Sequence, residues 1–504
     1  MRLFDKISKI FDTGDSLKKK VLVGSSWLYA LALVSKGLII IQTIVLARLL
    51  APEHFGIVGV FLIVSGALES LTNSGFSKAL VQQKVIDNDF LDTAWTVSIV
   101  RGGTIFVLLF LLSPLVVGFF NTPKALPVIR VLGLSLLFKG FTNSGTAYFS
   151  RNLEFHKQFL WQINGFIANF LISIPLAFIL RNEWAIVWGL LASDVVGLIF
   201  SFVLHPYRPK LKFNFQVFRI LFGYGKWLLF SSIVVFFSKQ GDRVFVVRLL
   251  GEVGLGVYTI AWRFARMPEI LTRPLSKALF PAYSRFQDNP HAIKERYIKS
   301  IRVIGLFSVP LVAGIIVLAK PFISVFLGDK WVAATLPMQI LTLAVGIDTI
   351  TYASLPLFNA MGLTVFSFKI ACVRSLVLAV LVFPLIKYYG VTGASLCYLV
   401  LSLAAFAVWK VEVYRLLKLT LAELYFLVLP CVSTLVMVLA LLCFGLMIPM
   451  KQASNILAAL CLGVVVYFSV GLAIERLTNF GFLRDFVEII RVLKPTHGIT
   501  KERT

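Results

Sequence analysis

Nine ionisable residues interrupt stretches of this sequence that are otherwise apolar: Lys36, Glu69, Lys239, Asp242, Arg243, Arg263, Arg266, Glu269 and Asp348. One such group at the centre of a bilayer costs about 2.5–3.5 kcal/mol on insertion scales, so each must face protein or water. Their spacing groups them. On a helix, Lys239 and Arg243 share a face, and so do Arg266, Glu269 and Arg273. Glu269 can therefore be neutralised by Arg266 or Arg273, whereas Glu69 has Gly66 and Asn73 at the matching positions. Glu69 needs a partner from another helix, and Lys36 is the expected one. Lys36, Lys239, Arg243, Arg263 and Arg266 outnumber Glu69, Asp242 and Glu269 by two. Ion pairs that merely lock helices together account for some of these charges. The surplus cations call for an anionic ligand, and the planar guanidinium suits phosphate geometry. The five cations are the candidate substrate-binding residues. Glu69, Asp242, Glu269 and Asp348 are the candidates to carry a coupling ion or to gate. Asp194 is a further carboxylate at membrane depth.

Other chemistries find no support. No Walker A, GxSxG or HExxH pattern is present, so no soluble-enzyme constellation is recognised. Gly251, Gly254 and Gly256 have no strand before them and read as a turn rather than a phosphate loop. Cys372, Cys397, Cys431, Cys443 and Cys461 lie in apolar stretches without metal-ligand spacing, and the five histidines are scattered. No catalytic residue, metal site or cofactor is expected.

The elements that must position these charges follow from composition. Of 504 residues, 58% are apolar and only 14% charged, against roughly a quarter charged in a soluble domain. A globule in water has too little interior for that, so the chain is an all-α polytopic membrane protein. Apolar runs place spans near 21–47, 55–82, 91–118, 126–149, 158–180, 184–203, 223–247, 255–283, 301–320, 333–360, 365–386, 391–409, 421–447 and 452–475, about 14 in all. Pro268 and Pro274 interrupt the eighth, permitting a hinge or a fixed bend. The net charge of +25 fits cytoplasmic loops rather than nucleic acid. Putting both termini inside concentrates Lys and Arg about fourfold on that side. Three segments read as amphipathic helices on the cytoplasmic surface, with apolar faces Leu3–Phe11, Phe286–Ile301 and Phe482–Leu493.

The sequence repeats itself with an offset of 200. Trp27-Leu28 matches Trp227-Leu228, Arg48-Leu49-Leu50 matches Arg248-Leu249-Leu250, Gly56 matches Gly256, and Glu69-x-Leu71-Thr72 matches Glu269-x-Leu271-Thr272. Over 27–72 there are ten identities in 46 positions without a gap. Six spans per unit is an even number, so the copies enter the membrane in the same direction. Two six-helix lobes, 21–203 and 223–415, related by a pseudo-twofold axis along the membrane normal, are expected. They are joined by a cytoplasmic linker at 204–222. Outside them lie 421–475 with two further helices, an N-terminal amphipathic segment at 1–20 and a tail at 476–504.

These features resemble the polysaccharide transporter branch of the multidrug/oligosaccharidyl-lipid/polysaccharide superfamily, above all the Wzx-type flippases for colanic acid and the teichuronic-acid exporters. The likeness is carried by ArgLeuLeuAlaProGluHisPheGly at 48–56, LeuPheProAlaTyrSerArgPheGln at 279–287 and GlyAspLysTrp at 328–331. It implies transfer of an undecaprenyl-diphosphate-linked oligosaccharide across the bacterial inner membrane by alternating access through a cationic central cavity. It also implies coupling to H+, Na+ or the membrane potential. Membrane lipids, a polysaccharide polymerase and a chain-length regulator are the implied partners. A cation-coupled multidrug exporter or a lipid II flippase of the same superfamily stays open. So does a polytopic polymerase or ligase, although the expected external loops are short.

Overall fold

In lipid every backbone N–H and C=O needs an internal partner, so long apolar runs become helices. The computed structural model describes residues 17–72, 88–270, 272, 279–280, 283–284, 286, 289–363, 365–418 and 428–478. Among them it forms twelve long helices and no strand. These are α1 (Leu17–Leu49), α2 (Pro52–Thr72), α3 (Asn88–Phe120), α4 (Ala125–Phe141), α5 (Phe155–Leu180), α6 (Trp184–Leu204), α7 (Phe215–Ala265), α8 (Pro290–Phe322), α9 (Thr335–Ala353), α10 (Val365–Leu417), α11 (Val428–Met447) and α12 (Ala453–Thr478). Eleven helical stretches are long and apolar enough to cross a membrane. A twelfth qualifies if α4 is joined to its continuation 144–151, bent away by 69°. The apolar faces expected at Leu3–Phe11 and Phe482–Leu493 lie outside the described residues, and residues 17–20 belong to α1.

Two helices are far longer than the roughly 20 residues a span requires. α7 has 51 residues and α10 has 53, and each contains one positive-φ glycine, Gly251 (φ 68°) and Gly390 (φ 56°). Both fold back there. The Tyr258 hydroxyl donates to Asp242 at 2.5 Å, although 16 residues would separate them by about 24 Å along a straight helix. Across the other tip, Lys369 meets Glu412 at 3.2 Å. Gly251 is thus the turn expected of the 251–256 glycines, and it turns without leaving helical hydrogen bonding for long.

Several boundaries differ from expectation. The eighth span breaks after Ala265: residues 266–268 form turns around Pro268, and residues 269, 270 and 272 are helical again. Pro268 thus interrupts the span, as its position in the sequence indicates, and Arg266 and Glu269 flank the break. The apolar face at Ile293, Tyr297 and Ile301 is not spread on a membrane surface. These residues belong to α8 and are buried with Leu357, Trp409 and Val413, so they cap the bundle.

The segment after α6 is bound rather than loose. Residues 205–214 run extended along the start of α3, and α7 begins already at Phe215. Buried Asp92 accepts from the Tyr207 hydroxyl and the Lys210 N–H, both at 2.6 Å. The Thr96 hydroxyl donates to the Lys212 carbonyl at 2.8 Å, and the Asn214 N–H donates to Thr93 Oγ1 at 3.2 Å. His205 stacks on Tyr148 at 5.7 Å and accepts from the Tyr207 N–H at Nδ1. Burial first, then Lys157, pushes the His205 pKa down, with Glu154 opposing and Arg208 adding to the fall. Burial and the Asp92 carboxylate push the Tyr207 hydroxyl up.

α2 and the second arm of α7 cross with their backbones touching. A Cβ on Gly56 would stand 1.7 Å from the Glu252 carbonyl oxygen, and one on Gly256 would stand 1.8 Å from that of Pro52. Moving each residue to its repeat equivalent, 56 to 256 and 252 to 52, turns one contact into the other. Glycine is required at both crossing points. At the same end, Trp331 is fully buried and donates to the Ala47 carbonyl at 2.8 Å, with Phe55 edge-on at 5.3 Å. Lys330 donates to the Arg48 carbonyl at 3.0 Å, and Gly328 (φ 96°) lies against the Arg48 guanidinium. The segments 48–56 and 328–331 thus pack on each other. Arg248 lies over the Phe119 ring at 5.5 Å, beside the turn at Asn121. The last two helices, α11 and α12, sit against α8, where the Tyr467 hydroxyl donates to the Leu306 carbonyl at 2.7 Å.

Candidate functional site

The expected cations converge on one indole. Trp262, 4% exposed, lies on the second arm of α7. The Arg243 and Arg266 guanidinium carbons stand 5.8 and 5.7 Å from its ring centre, within cation–π reach. Arg243 comes from the first arm and Arg266 from the residue that ends the second, so folding at Gly251 brings them together. Arg263, next in sequence to Trp262, donates from Nη1 to Thr43 Oγ1 of α1 at 2.7 Å. Two guanidiniums therefore lie against one aromatic ring, and a third, on the neighbouring residue, is held by α1. Lys36 and Lys239 are exposed on α1 and α7.

Two tyrosines hold the indole from its other side. Tyr398 of α10 meets it edge-on at 4.4 Å and Tyr258 does so at 6.3 Å. Each tyrosine ends on a carboxylate: Tyr258 donates to Asp242, and Tyr398 donates to Asp348 at 2.8 Å. Asp348 and Arg374, both 2% exposed, form a two-pronged pair with N–O distances of 2.9 and 3.1 Å. That pair leaves Asp348 neutralised, which weakens its claim to carry an ion. Asp242, also 2% exposed, has no cation within ion-pair distance among the described residues.

The remaining carboxylates are paired. Glu269 pairs with Arg266 at 3.1 Å, as the spacing allowed; Arg273 lies outside the described residues. Glu69 pairs with Lys139 of α4 at 3.1 Å, which corrects the expectation of Lys36. The sequence placed Lys36 at the right depth but could not tell which helix packs beside α2. Asp194 accepts from the Ser135 hydroxyl at 2.5 Å, one turn of α4 before Lys139. Repeat-related Glu69 and Glu269 are thus both ion-paired, but by cations from different elements: Lys139 of α4 and Arg266 three residues before Glu269. Lys139, Arg374, Tyr258 and Tyr398 were not singled out from sequence. An isolated Arg374 in an apolar run, facing an isolated Asp348 in the preceding one, was the available signal.

A helical bundle with arginines gathered at a buried indole and a close glycine crossing invites comparison with known proteins. The family model described as polysaccharide biosynthesis protein matches residues 45–336, more than half of the chain. The chain belongs to that family. Among relatives of this family member, the lipopolysaccharide biosynthesis protein WzxC of Escherichia coli K12 is 26% identical over 329 residues, covering 65% of this chain and 67% of WzxC. The succinoglycan biosynthesis transport protein ExoT of Rhizobium meliloti is 24% identical over 473 residues, covering 91% and 93%. Of solved structures, the lipid II flippase MurJ in an inward closed conformation superposes with a TM-score of 0.74 at 14% identity, covering 89% of this chain and 99% of that one. An inward-facing multidrug resistance MATE transporter superposes at 0.61 with 18% identity, covering 81% and 97%. These two establish the fold of the family member, which is that of the multidrug/oligosaccharidyl-lipid/polysaccharide superfamily. Of these proteins ExoT is a transport protein, MurJ a flippase and the MATE protein a transporter.

Proposed function

We propose that this chain is a flippase that moves a polyprenyl-diphosphate-linked oligosaccharide from the cytoplasmic to the outer leaflet for cell-surface polysaccharide synthesis. The observation that carries the reading is the meeting of Arg243 and Arg266 at Trp262, with Arg263 next to it in sequence. A diphosphate offers oxygens for forked guanidinium contacts, and a cationic drug would be repelled. The relatives' roles in lipopolysaccharide and succinoglycan biosynthesis support the same cargo class. With both arms of α7 and α10 counted, the bundle has fourteen crossings. Residues 21–203 and 223–415 then form two lobes, with both termini in the cytoplasm of a bacterial inner membrane. The reciprocal contacts of Gly56 and Gly256 support a pseudo-twofold axis between the lobes. A polysaccharide polymerase and a chain-length regulator act on the delivered unit.

An inside-negative potential drives anions outward by about 2.3 kcal/mol per charge per 100 mV. A diphosphate with two charges gains roughly 4–5 kcal/mol from it. Coupling to H+ or Na+, where it is used, falls to Asp242. Its proton or cation would be felt by Tyr258, then by Trp262, and so by the arginines that hold the cargo.

Arg243→Ala and Arg266→Ala should each lower transport by about tenfold or more at unchanged abundance, since a charged hydrogen bond is worth about 1.5–3 kcal/mol. Mass spectrometry of polyprenyl-linked lipids in depleted cells, with a leaflet assay, should find one diphosphate-linked oligosaccharide trapped inside. Normal transport by both variants would remove the cationic site from the mechanism. The same lipid trapped in the outer leaflet would indicate a polymerase or ligase.

A further inference from the structure

The extended strap at 205–214 does more than join α6 to α7. Between 205 and 219 the sequence carries Arg208, Lys210, Lys212 and Arg219 and no Asp or Glu. All four cations are exposed. Alternating with the two lysines are Leu211, Phe213 and Phe215, exposed by 72, 56 and 68%. The Lys212 N–H donates to the Lys210 carbonyl at 2.9 Å, a tight turn centred on Leu211, so basic and apolar side chains share one exposed strip. The anchors to Asp92, Thr93 and Thr96 use backbone atoms of Lys210, Lys212 and Asn214, which leaves both lysine side chains out of the anchoring. Asp92 is consumed beneath the strap; Asp89 on the same turn of α3 is exposed.

The depth of this strip is fixed from three sides. It starts where α6 ends at Leu204, finishes where α7 begins at Phe215, and lies on the first turns of α3. Three exposed large apolar groups beside four cations, at the ends of three membrane helices, match the boundary between acyl chains and headgroups. Water would satisfy the cations but not Leu211, Phe213 and Phe215. We infer that the strap is a docking surface for anionic phospholipid headgroups of the leaflet at its own side, with Leu211, Phe213 and Phe215 seated at the top of the acyl region. This does not depend on the cargo proposed above.

The full-length protein should be purified in mixed micelles holding equal amounts of phosphatidylglycerol and phosphatidylethanolamine, and the lipids that stay bound counted by native mass spectrometry. The protein should retain phosphatidylglycerol in excess. K210Q/K212Q/R219Q should lower that excess by roughly fivefold per cation, on the order of a hundredfold in all. L211S/F213S/F215S should lower retention of both lipids together. K387Q, near the Gly390 tip, should change nothing. Elution volume and melting temperature serve to establish that the variants are folded, and single K210Q and K212Q variants replace the triple one if it is not. Equal binding of the two lipids by the unaltered protein would overturn the inference, as would an undiminished excess in a folded charge variant. A co-purifying protein lost from K210Q/K212Q/R219Q with lipid preference intact would assign the surface to that protein instead and equally overturn it.

Discussion

Gly56→Ala and Gly256→Ala probe the helix crossing from its two related sides. The added methyl would lie 1.7 or 1.8 Å from a backbone carbonyl oxygen, where Cβ atoms essentially never come within 3.0 Å. α2 and the second arm of α7 must therefore part by about 1.3 Å. Overpacking of this kind costs about 1–3 kcal/mol, and backbone atoms offer no rotamer escape, so the upper part of that range applies. At 1.4 kcal/mol per factor of ten, a state with this end closed loses roughly 30- to 150-fold against one with it open. The assay is a distance distribution between spin labels at Lys124 and Val253, both exposed at this end, read with melting temperature and transport. Each alanine should add a longer-distance population and slow transport. The two contacts exchange under the 200-residue offset, so the two variants should agree within about 0.5 kcal/mol. Their combination should cost less than the sum, because helices already parted by one methyl accommodate the second. Unchanged distances and transport in both variants would refute the crossing as the closed end of the path, and full additivity would refute its reciprocity.

Two further expectations concern buried charge and pH. Asp348→Asn or Arg374→Met alone should destabilise the protein by about 3–5 kcal/mol, while Asp348→Leu with Arg374→Met should recover much of the loss, measured by melting temperature in detergent. If the double variant melts no higher than the singles, the pair is not an isolated buried ion pair. The lowered pKa of His205 means that the unfolded chain binds the proton more readily than the folded one. Stability is then fully present above the ordinary value of 6.5 and is lost as pH falls below it. His205→Gln should flatten that acid-side decline in melting temperature; an equal decline in the variant would place its cause elsewhere.

What the sequence revealed and what it hid follow from the range of the interactions involved. Apolar runs and their breaks located nearly every helix, since span length is imposed by the bilayer. The 200-residue repeat pointed to Gly56 and Gly256, although not to their touching each other's lobe. Arg266 and Glu269 were legible as a pair because three residues separate them. Glu69 and Lys139 were not, because 70 residues and a choice of neighbouring helix intervene. Trp262 drew no attention in an apolar stretch rich in aromatics; only the fold at Gly251 sets it between Arg243 and Arg266. The break after Ala265 was legible from Pro268, because proline cannot donate the backbone hydrogen bond a continuous helix needs.

The two glycine tips also bear on how the chain enters the membrane. Between Arg248 and Glu252, and again around Gly390, almost no hydrophilic loop exists to be handed across by itself. Each pair of arms must then be inserted as a preformed helical hairpin. For α7 that order hides a charge in time: Asp242 meets the Tyr258 hydroxyl inside the hairpin before either arm is left alone with lipid.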